Sequence, residues 1–577
     1  MRTVLRYLKP FRFRMLIGFL IKVSGTVIEL FIPYILSHIL KNVVDSENLP
    51  LILTWGALMI LCAGSACVCN IIANRMAARV SRNFSEKMRR ELFSHTLRLS
   101  AAQTDRFTIP SLESRITTDT YHVHNFVSMM QRMGVRAPIL LIGGIAITLF
   151  MDPLLAMVMI AILPFIFVTV YFISKRGVPL YAKVQKSVDG MVRVVREDTQ
   201  GIRVIKALSK NDYENRRYDR FNAELSKNER HVGTVMGVVN PIMTLLMNCG
   251  ITAVVAWSAY LVFDHKSDPE TVIAFMQYFT LISMAMMTVS RIFVMYTKCA
   301  ASARRIAEVI ESPSEIEVKS PVDNPDLAPV KTDAHIEFDH VSFSYTGNHN
   351  HLKNIHFSLP RGGNLGIIGA TGSGKSTLIR LLLRFYDVGD GHVRINGRDI
   401  RTIQKDELSA MFGVVLQNDF LYAETIRENI QFGRDLSQEQ IEHAASIAQA
   451  HDFITSFADG YDHMLSSKAT NLSGGQKQRL LIARAIAARP EILILDDSSS
   501  ALDYKTDANL RRALREEMQD TTVVTVAQRV SSVMHCDLIL VLEQGEIIGC
   551  GKHEELLTSC LPYKEISDSQ MGGAFVE

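Results

Sequence analysis

The sequence predicts a membrane α-helical bundle fused to a C-terminal α/β domain. Two observations predict it. Apolar residues gather into long runs before about residue 310, in a chain of 577 residues that is 48% hydrophobic. Beyond that point short strand-like runs alternate with helical patterns around a glycine-rich loop, Gly369–Thr377. The division reads as a membrane domain over 1–310, a linker over 311–332 and an α/β domain over 333–577. The formal net charge of +3 averages over this asymmetry and points to no nucleic-acid partner.

A hydrocarbon core of about 30 Å needs about 20 apolar residues per helix. Six runs qualify, at roughly 15–40, 51–73, 137–152, 153–173, 241–263 and 271–297. The third and fourth share a tight turn at Met151-Asp152-Pro153. The first is not a cleaved leader, because it lacks a small-residue cleavage site and further spans follow it.

Basic residues crowd one side of these runs. Arg2, Arg6, Lys9, Arg12 and Arg14 precede the first, Arg75 to Arg115 lie between the second and third, and Lys175 to Arg230 follow the fourth. The opposite loops carry only Lys41 and Lys266. Positive residues stay inside, which places both termini in the cytoplasm of a multi-pass plasma-membrane protein. Residues 1–14 read as an amphipathic helix lying against the lipids of the inner surface. The basic segments continue the second and fourth helices into the cytosol, and Ser100–Pro110 and Thr199–Asn211 read as short connectors touching the second domain.

Charges inside the first span ask for partners. Lys22 reads as snorkelling to the inner interface. Glu29 lies deeper and reads as bonded to a neighbouring helix or a polar cavity, and Pro33 as a kink. Methionines such as Met129, Met243 and Met284 read chiefly as packing residues, with an adaptable wall for apolar substrates as the alternative. The eight cysteines have no disulfide or metal spacing.

The linker, Glu311–Pro329, is polar and rich in proline. NLGIIGATGSGKSTLIRLL then gives strand, loop and amphipathic helix. Gly369, Thr371, Gly372, Ser373, Gly374, Lys375, Ser376 and Thr377 belong to a complete G-x-x-x-x-G-K-S loop. Glycines let backbone N–H groups turn onto phosphates, the helix N-terminus adds its dipole, Lys375 neutralises charge and Ser376 suits Mg²⁺. This predicts binding of a nucleoside triphosphate.

NLSGGQKQRLLIARAI, with Ser473, Gly474, Gly475 and Gln476, resembles the signature of ATP-binding cassette (ABC) proteins. ILILDDSSSALD resembles their magnesium strand and D-loop, Gln417 in VVLQNDF their Q-loop, and Tyr345 in VSFSY their adenine-stacking aromatic. With the spans ahead of it, the chain resembles an exporter-type half-transporter over nearly its whole length. The resemblance implies ATP and Mg²⁺ as cofactors, with Ser376, Gln417 and Asp496 as metal-holding residues. It also implies a dimer in which each ATP lies between one chain's phosphate loop and its partner's signature.

Two positions depart from the family pattern. Asp497 stands where a catalytic glutamate is usual, and Gln528 in VAQRVSS where a histidine is usual. Aspartate is one methylene shorter, which draws its carboxylate back by about 1.5 Å, and misplacement of about 1 Å can cost ~100-fold in rate. Glutamine can bond to a γ-phosphate but does not become charged or relay a proton. A third departure is Ser466-Ser467-Lys468-Ala469, in place of Gly-Glu-Arg-Gly. Together they predict a site that binds ATP and hydrolyses it poorly, in the degenerate subunit of a heterodimeric multidrug exporter. Its partner would be a second, non-identical half-transporter, and its substrates hydrophobic or amphipathic small molecules. The alternatives are a homodimeric lipid or peptide exporter with slow ATPase, a metal-chelate importer on the same fold, and a membrane-bound ATP-sensing gate that does not pump.

Overall fold

The computed structural model describes residues 1–44, 48–263, 269–313, 316–347, 349–417, 419–498 and 500–571. Lys266, counted above among the outer-loop charges, lies outside them. The chain forms two compact units, Met1–Arg98 with Phe107–Ser312, and Leu99–Arg106 with Pro313–Glu577. The second unit therefore takes in a short stretch from within the membrane half of the sequence.

The first unit is helical throughout. Its elements are α1 (Arg2–Leu8), α2 (Arg12–His38), α3 (Leu49–Leu97), α5 (Ile109–Ser114), α6 (Thr120–Met151), α7 (Pro153–Gln200), α8 (Ile202–Ala207), α9 (Asn211–Gly237), α10 (Val239–Phe263) and α11 (Pro269–Ile310), while α4 (Ala101–Phe107) falls almost wholly in the second unit. Among the described residues five helical runs are long and apolar enough to cross a membrane: Arg2–Val43, Leu49–Leu97, Ile109–Met151, Asn211–Leu261 and Thr271–Ile310. The expected fourth span is the shorter apolar stretch Pro153–Thr169 at the start of α7. α6 and α7 meet at Asp152, whose carboxylate accepts from the N–H groups of Leu154 and Leu155 at 3.0 and 3.2 Å and so caps α7. At 49 residues α3 is about 70 Å long, more than twice a bilayer core.

The two charges of the first span are paired. Lys22 does not snorkel. It is 4% exposed, and its ammonium donates to Asn70 Oδ1 at 2.6 Å and Asn74 Oδ1 at 3.2 Å on α3. Two amide oxygens one turn apart on the facing helix take the place of water around the ammonium. Glu29 accepts from Arg136 of α6, at 2.5 Å from Nη2 and 3.2 Å from Nε. Arg136 went unsuspected in the sequence because it reads as the basic flank of the third span. α2 runs unbroken through Pro33 and widens to a π-turn at Ile39–Val43. The bundle core centres on Leu155, Met159, Ile166, Phe275, Phe279 and Ile282, with Tyr278 donating its hydroxyl to the Leu30 carbonyl at 2.6 Å. Farther along, the fully buried Asp119 holds α11 to the base of α6 by accepting from Ser302 Oγ at 2.8 Å and Arg305 Nε at 2.7 Å.

The second unit carries two sheets. β1 (Ala334–Phe343), β2 (Leu352–Pro360), β4 (Asp390–Ile395) and β5 (Arg398–Asp399) form an antiparallel sheet in the order β2-β1-β4-β5. β3 (Asn364–Gly369), β6 (Phe412–Val415), β7 (Ile492–Asp496), β8 (Thr522–Val526), β9 (Leu538–Glu543) and β10 (Glu546–Gly551) form a six-stranded sheet in the order β10-β9-β3-β8-β7-β6. The sequences explain the difference. In β2, Ile355, Phe357 and Leu359 alternate with exposed Asn354, His356 and Ser358, which suits a sheet with one wet face. β7 reads ILILD and is buried at every position, as a parallel strand covered on both faces must be. β9, β3, β8, β7 and β6 run parallel, so the loops that follow β3, β7 and β8 open at one end of the sheet. Ligands of open parallel sheets bind at that carboxyl end.

Candidate nucleotide site

At that end lies a cavity of about 650 Å³. β3 runs into the glycine-rich loop, and α12 (Lys375–Leu382) follows it. Gly374 caps α12 at φ +107°, and a Cβ there would lie 2.7 Å from Leu352 Cδ2. A Cβ on Gly369 would lie 2.1 Å from the Leu542 carbonyl oxygen. The glycines are thus demanded by the close approach of β2 and β9 as well as by the turn. The first turn of α12 leaves N–H groups without intrahelical acceptors, pointing at the cavity mouth.

Thr371, Gly372, Gly374, Lys375, Ser376, Thr377, Gln417, Asp496, Asp497 and Gln528 all line this cavity. Lys375 Nζ donates to the carbonyls of Gly369 and Ala370, both at 2.8 Å, inside its own loop. Burial lowers the Lys375 pKa, while the charges of Asp496 and Asp497 oppose that shift. Asp496 is moved the other way, upward, first by burial and then by the adjacent Asp497, and the Ser376 hydroxyl bonds to it. The hydroxyl of Ser373, 4% exposed, lacks a hydrogen-bond partner. A loop of backbone N–H groups beside a lysine, a hydroxyl and a buried carboxylate fits a nucleotide phosphate with a hard divalent cation.

Asp497 follows Asp496 in the left-handed region, at φ +52°. Its N–H donates to the Val526 carbonyl at 2.9 Å, and its own carbonyl accepts from Ser500 Oγ at 2.9 Å. Gln528 Nε2 donates to Asp497 Oδ2 at 3.2 Å. Burial raises the Asp497 pKa, against the pull of Lys375, Arg529 and the Gln528 bond.

Tyr345 is not in the cavity wall. It is 36% exposed, meets His351 edge-on at 5.0 Å and receives a bond from Arg380 Nη1 at 3.3 Å. The wall on that side is built by His349, His351 and Lys353 with Gln544 and Gly545, which the sequence reading did not single out. Gly545 joins them to the loop, donating its N–H to the Ser373 carbonyl at 3.1 Å. A turn between β9 and β10 carries no motif that would have shown this in advance.

The Leu472–Gln476 signature is not part of this cavity. Ser473 caps the helix Gly474–Ile486 in a reciprocal box, with Ser473 N–H donating to Gln476 Oε1 at 2.9 Å and Gln476 N–H to Ser473 Oγ at 3.3 Å. Gln476 therefore has a structural task within its own chain. Gly475 lies close under the D-loop, where a Cβ would lie 3.1 Å from the Ala501 carbonyl oxygen. Ahead of the signature, Lys468 and Ala469 are both left-handed, at φ +58° and +49°.

Residues 15–286 match the ABC transporter transmembrane region, and residues 352–500 match the ABC transporter family. The chain is 32% identical to YfiB of Bacillus subtilis (strain 168), described as an uncharacterized ABC transporter ATP-binding protein, over 99% of each chain. It is 35% identical to YknU of the same organism, similarly described, over 84% of this chain and 82% of that one. The solved structure of a bacterial Atm1-family ABC exporter with ATP bound aligns at TM-score 0.82, covering 97% of this chain and 98% of that chain at 24% identity, a likeness of fold. The chain thus belongs to the ABC transporter family, as a multi-pass membrane protein of exporter fold that joins one transmembrane region to one ATP-binding domain and serves ATP-driven transport.

Proposed function

We propose that this chain is the degenerate-site subunit of a heterodimeric exporter of hydrophobic or amphipathic compounds. The observation that carries this reading is the bond between Gln528 and Asp497. In an efficient site a longer carboxylate orients the attacking water, and a histidine faces the γ-phosphate. Here the carboxylate is drawn back and one of its oxygens accepts from an amide that does not take up or release a proton near neutral pH.

In this reading Gly369–Thr377 and Tyr345 serve the bound ATP, and Ser376, Gln417 and Asp496 hold Mg²⁺, which supplies charge neutralisation on the phosphates. Ser473, Gly474, Gly475 and Gln476 face the γ-phosphate held by a non-identical partner, completing its hydrolytic site. Six spans, with Pro153–Thr169 as the start of the fourth, place both termini in the cytosol. The Asp105 carboxylate of α4 accepts the Tyr386 hydroxyl, which supports a pump whose ATPase is tied to its connectors over a gate that merely senses ATP.

The test is turnover of the purified chain. Alone it should hydrolyse little ATP. Co-expressed with its partner it should form a one-to-one complex with robust activity. Brisk homodimeric turnover by this chain alone contradicts the proposal and favours the homodimeric lipid or peptide exporter.

A further inference from the structure

The outer face of the antiparallel sheet carries a cluster that ATP binding does not use. Phe338 opposes Phe357 across β1 and β2, while Val341 opposes Ile355, so Asp339 and His340 together face the single residue His356. This two-against-one bulge re-aims a side chain. His340 takes φ +49°, and the bulge turns it outward instead of into the core, where Val341 is fully buried. Asp339, His340 and His356 then share one wet face, and one donor atom from each lies within 4.8 Å of the others. The two imidazoles stack with centroids 4.8 Å apart, and His356 Nδ1 stands 3.9 Å from Asp339 Oδ1.

The surroundings orient these groups. His340 Nδ1 lies 2.6 Å from Asn354 Oδ1, a pure acceptor, so that nitrogen carries the proton and Nε2 keeps its lone pair. This is how a neighbouring carbonyl prepares a histidine for a metal. Asn354 is itself left-handed, at φ +49°, and is tied to Ser342 Oγ through its N–H at 3.0 Å. Arg394 Nη1 holds Asp339 Oδ2 at 3.1 Å and leaves Oδ1 turned toward His356. Strained backbone supported on both strands is the kind of outlier from which a functional reading starts.

We propose that Asp339, His340 and His356 form a binding site for a divalent d-block cation of the zinc class, separate from the nucleotide site. Two imidazole nitrogens and one carboxylate oxygen select zinc-class ions over Mg²⁺, which prefers oxygen throughout. Zn–N bonds of about 2.1 Å require donors about 3.4 Å apart, a closure of up to about 1.4 Å that exposed side chains can make. The ion would clip the bulge of β1 to β2, an edge strand. β2 begins at Leu352, beside His351 and Lys353 of the nucleotide cavity wall, so the clip would stiffen that wall.

The experiment is a Zn²⁺ titration of tag-free, full-length protein in detergent, against a chromophoric chelator and in excess Mg²⁺. The expected result is micromolar binding that loses one Zn²⁺ per chain in the variant carrying both His340→Gln and His356→Gln. Asn354→Ala, which keeps all three donors, should weaken that one site about tenfold by freeing the His340 tautomer. Measured in the absence of zinc, Mg-ATP binding should be unchanged in every variant, which also reports an intact fold. Equal zinc stoichiometry in the parent and the double variant overturns the proposal, as does displacement of the zinc by Mg²⁺.

Discussion

Gln528 Nε2 donates to Asp497 Oδ2 at 3.2 Å. The two residues are 31 positions apart, at the ends of neighbouring parallel strands β7 and β8, and each departs from the family pattern. Their contact makes the departures one feature. A glutamine beside a catalytic carboxylate is a fixed donor, whereas a histidine there can change its charge. The left-handed backbone at Asp497 is held by bonds at both its N–H and its carbonyl, so the short side chain has little freedom to reach farther.

The pair has a pH signature. Burial holds the Asp497 carboxyl above the ordinary carboxylate range, and the Gln528 bond works against that rise. An acid with a raised pKa takes up its proton earlier as pH falls. Residual hydrolysis at this site that uses the Asp497 carboxylate should therefore fade at a pH above that of an unperturbed aspartate. Gln528→Ala removes an opposing bond and should shift the loss to still higher pH. A pH–rate profile of the complex, with the partner's catalytic glutamate disabled, checks the direction of that shift.

Replacing Gly474 by tryptophan should cut turnover of the complex severely, by about 100-fold or more, because the signature would serve the partner's ATP. Lys375→Ala should weaken nucleotide binding at this chain's own site and lower turnover less. Steady-state ATPase assays of the two complexes decide it. A more damaging Lys375 change would reverse the assignment of the sites.

Tyr386 and Asp105 predict a different kind of defect. Their hydrogen bond joins α4 to the segment that follows α12, within the second unit. Tyr386→Phe keeps the ring and removes the donor, worth about 1–2 kcal/mol at a partly exposed site. ATP turnover should stay within about twofold, while substrate movement per ATP falls. Transport and hydrolysis measured together in proteoliposomes separate the two effects.

In the membrane region, Glu29→Ala leaves Arg136 without its carboxylate partner, and Arg136→Ala does the converse. The double change should lower stability by less than the sum of the two single losses. The double-mutant cycle should return a coupling energy of about 1 kcal/mol or more, since the pair is only half-exposed. Thermal unfolding of all four forms in detergent supplies the numbers. Additive losses would mean that the pair contributes nothing beyond its separate side chains.

The sequence was most legible where the backbone itself is constrained. Gly369 and Gly374 admit no Cβ, and the lysine, hydroxyl and carboxylates must converge on one cavity, so spacing along the chain carried the geometry. Legibility failed where a partner comes from a distant helix. Lys22 finds Asn70 and Asn74, and Glu29 finds Arg136, through packing that periodicity does not encode. Tyr345 stands apart from the cavity wall, packed among Phe343, His351 and Tyr386, and reaches it through its hydroxyl, which bonds Thr377 Oγ1 at 3.4 Å. Gln476 completes a helix cap within its own chain, a local task that the motif alone does not announce.

The most direct test of the account is repair of the site. Asp497→Glu together with Gln528→His restores the usual residue types beside a phosphate loop and an Asp496 that are already in place. Electrostatic placement of the attacking water is worth several kcal/mol, so even partial repair is measurable. The measurement is single-turnover hydrolysis in a complex whose partner glutamate is disabled, with ATP occupancy verified. The account predicts a clear gain in rate over the unrepaired complex. An unchanged rate at full occupancy would contradict it, and would place the cause of poor hydrolysis outside the Asp497–Gln528 pair.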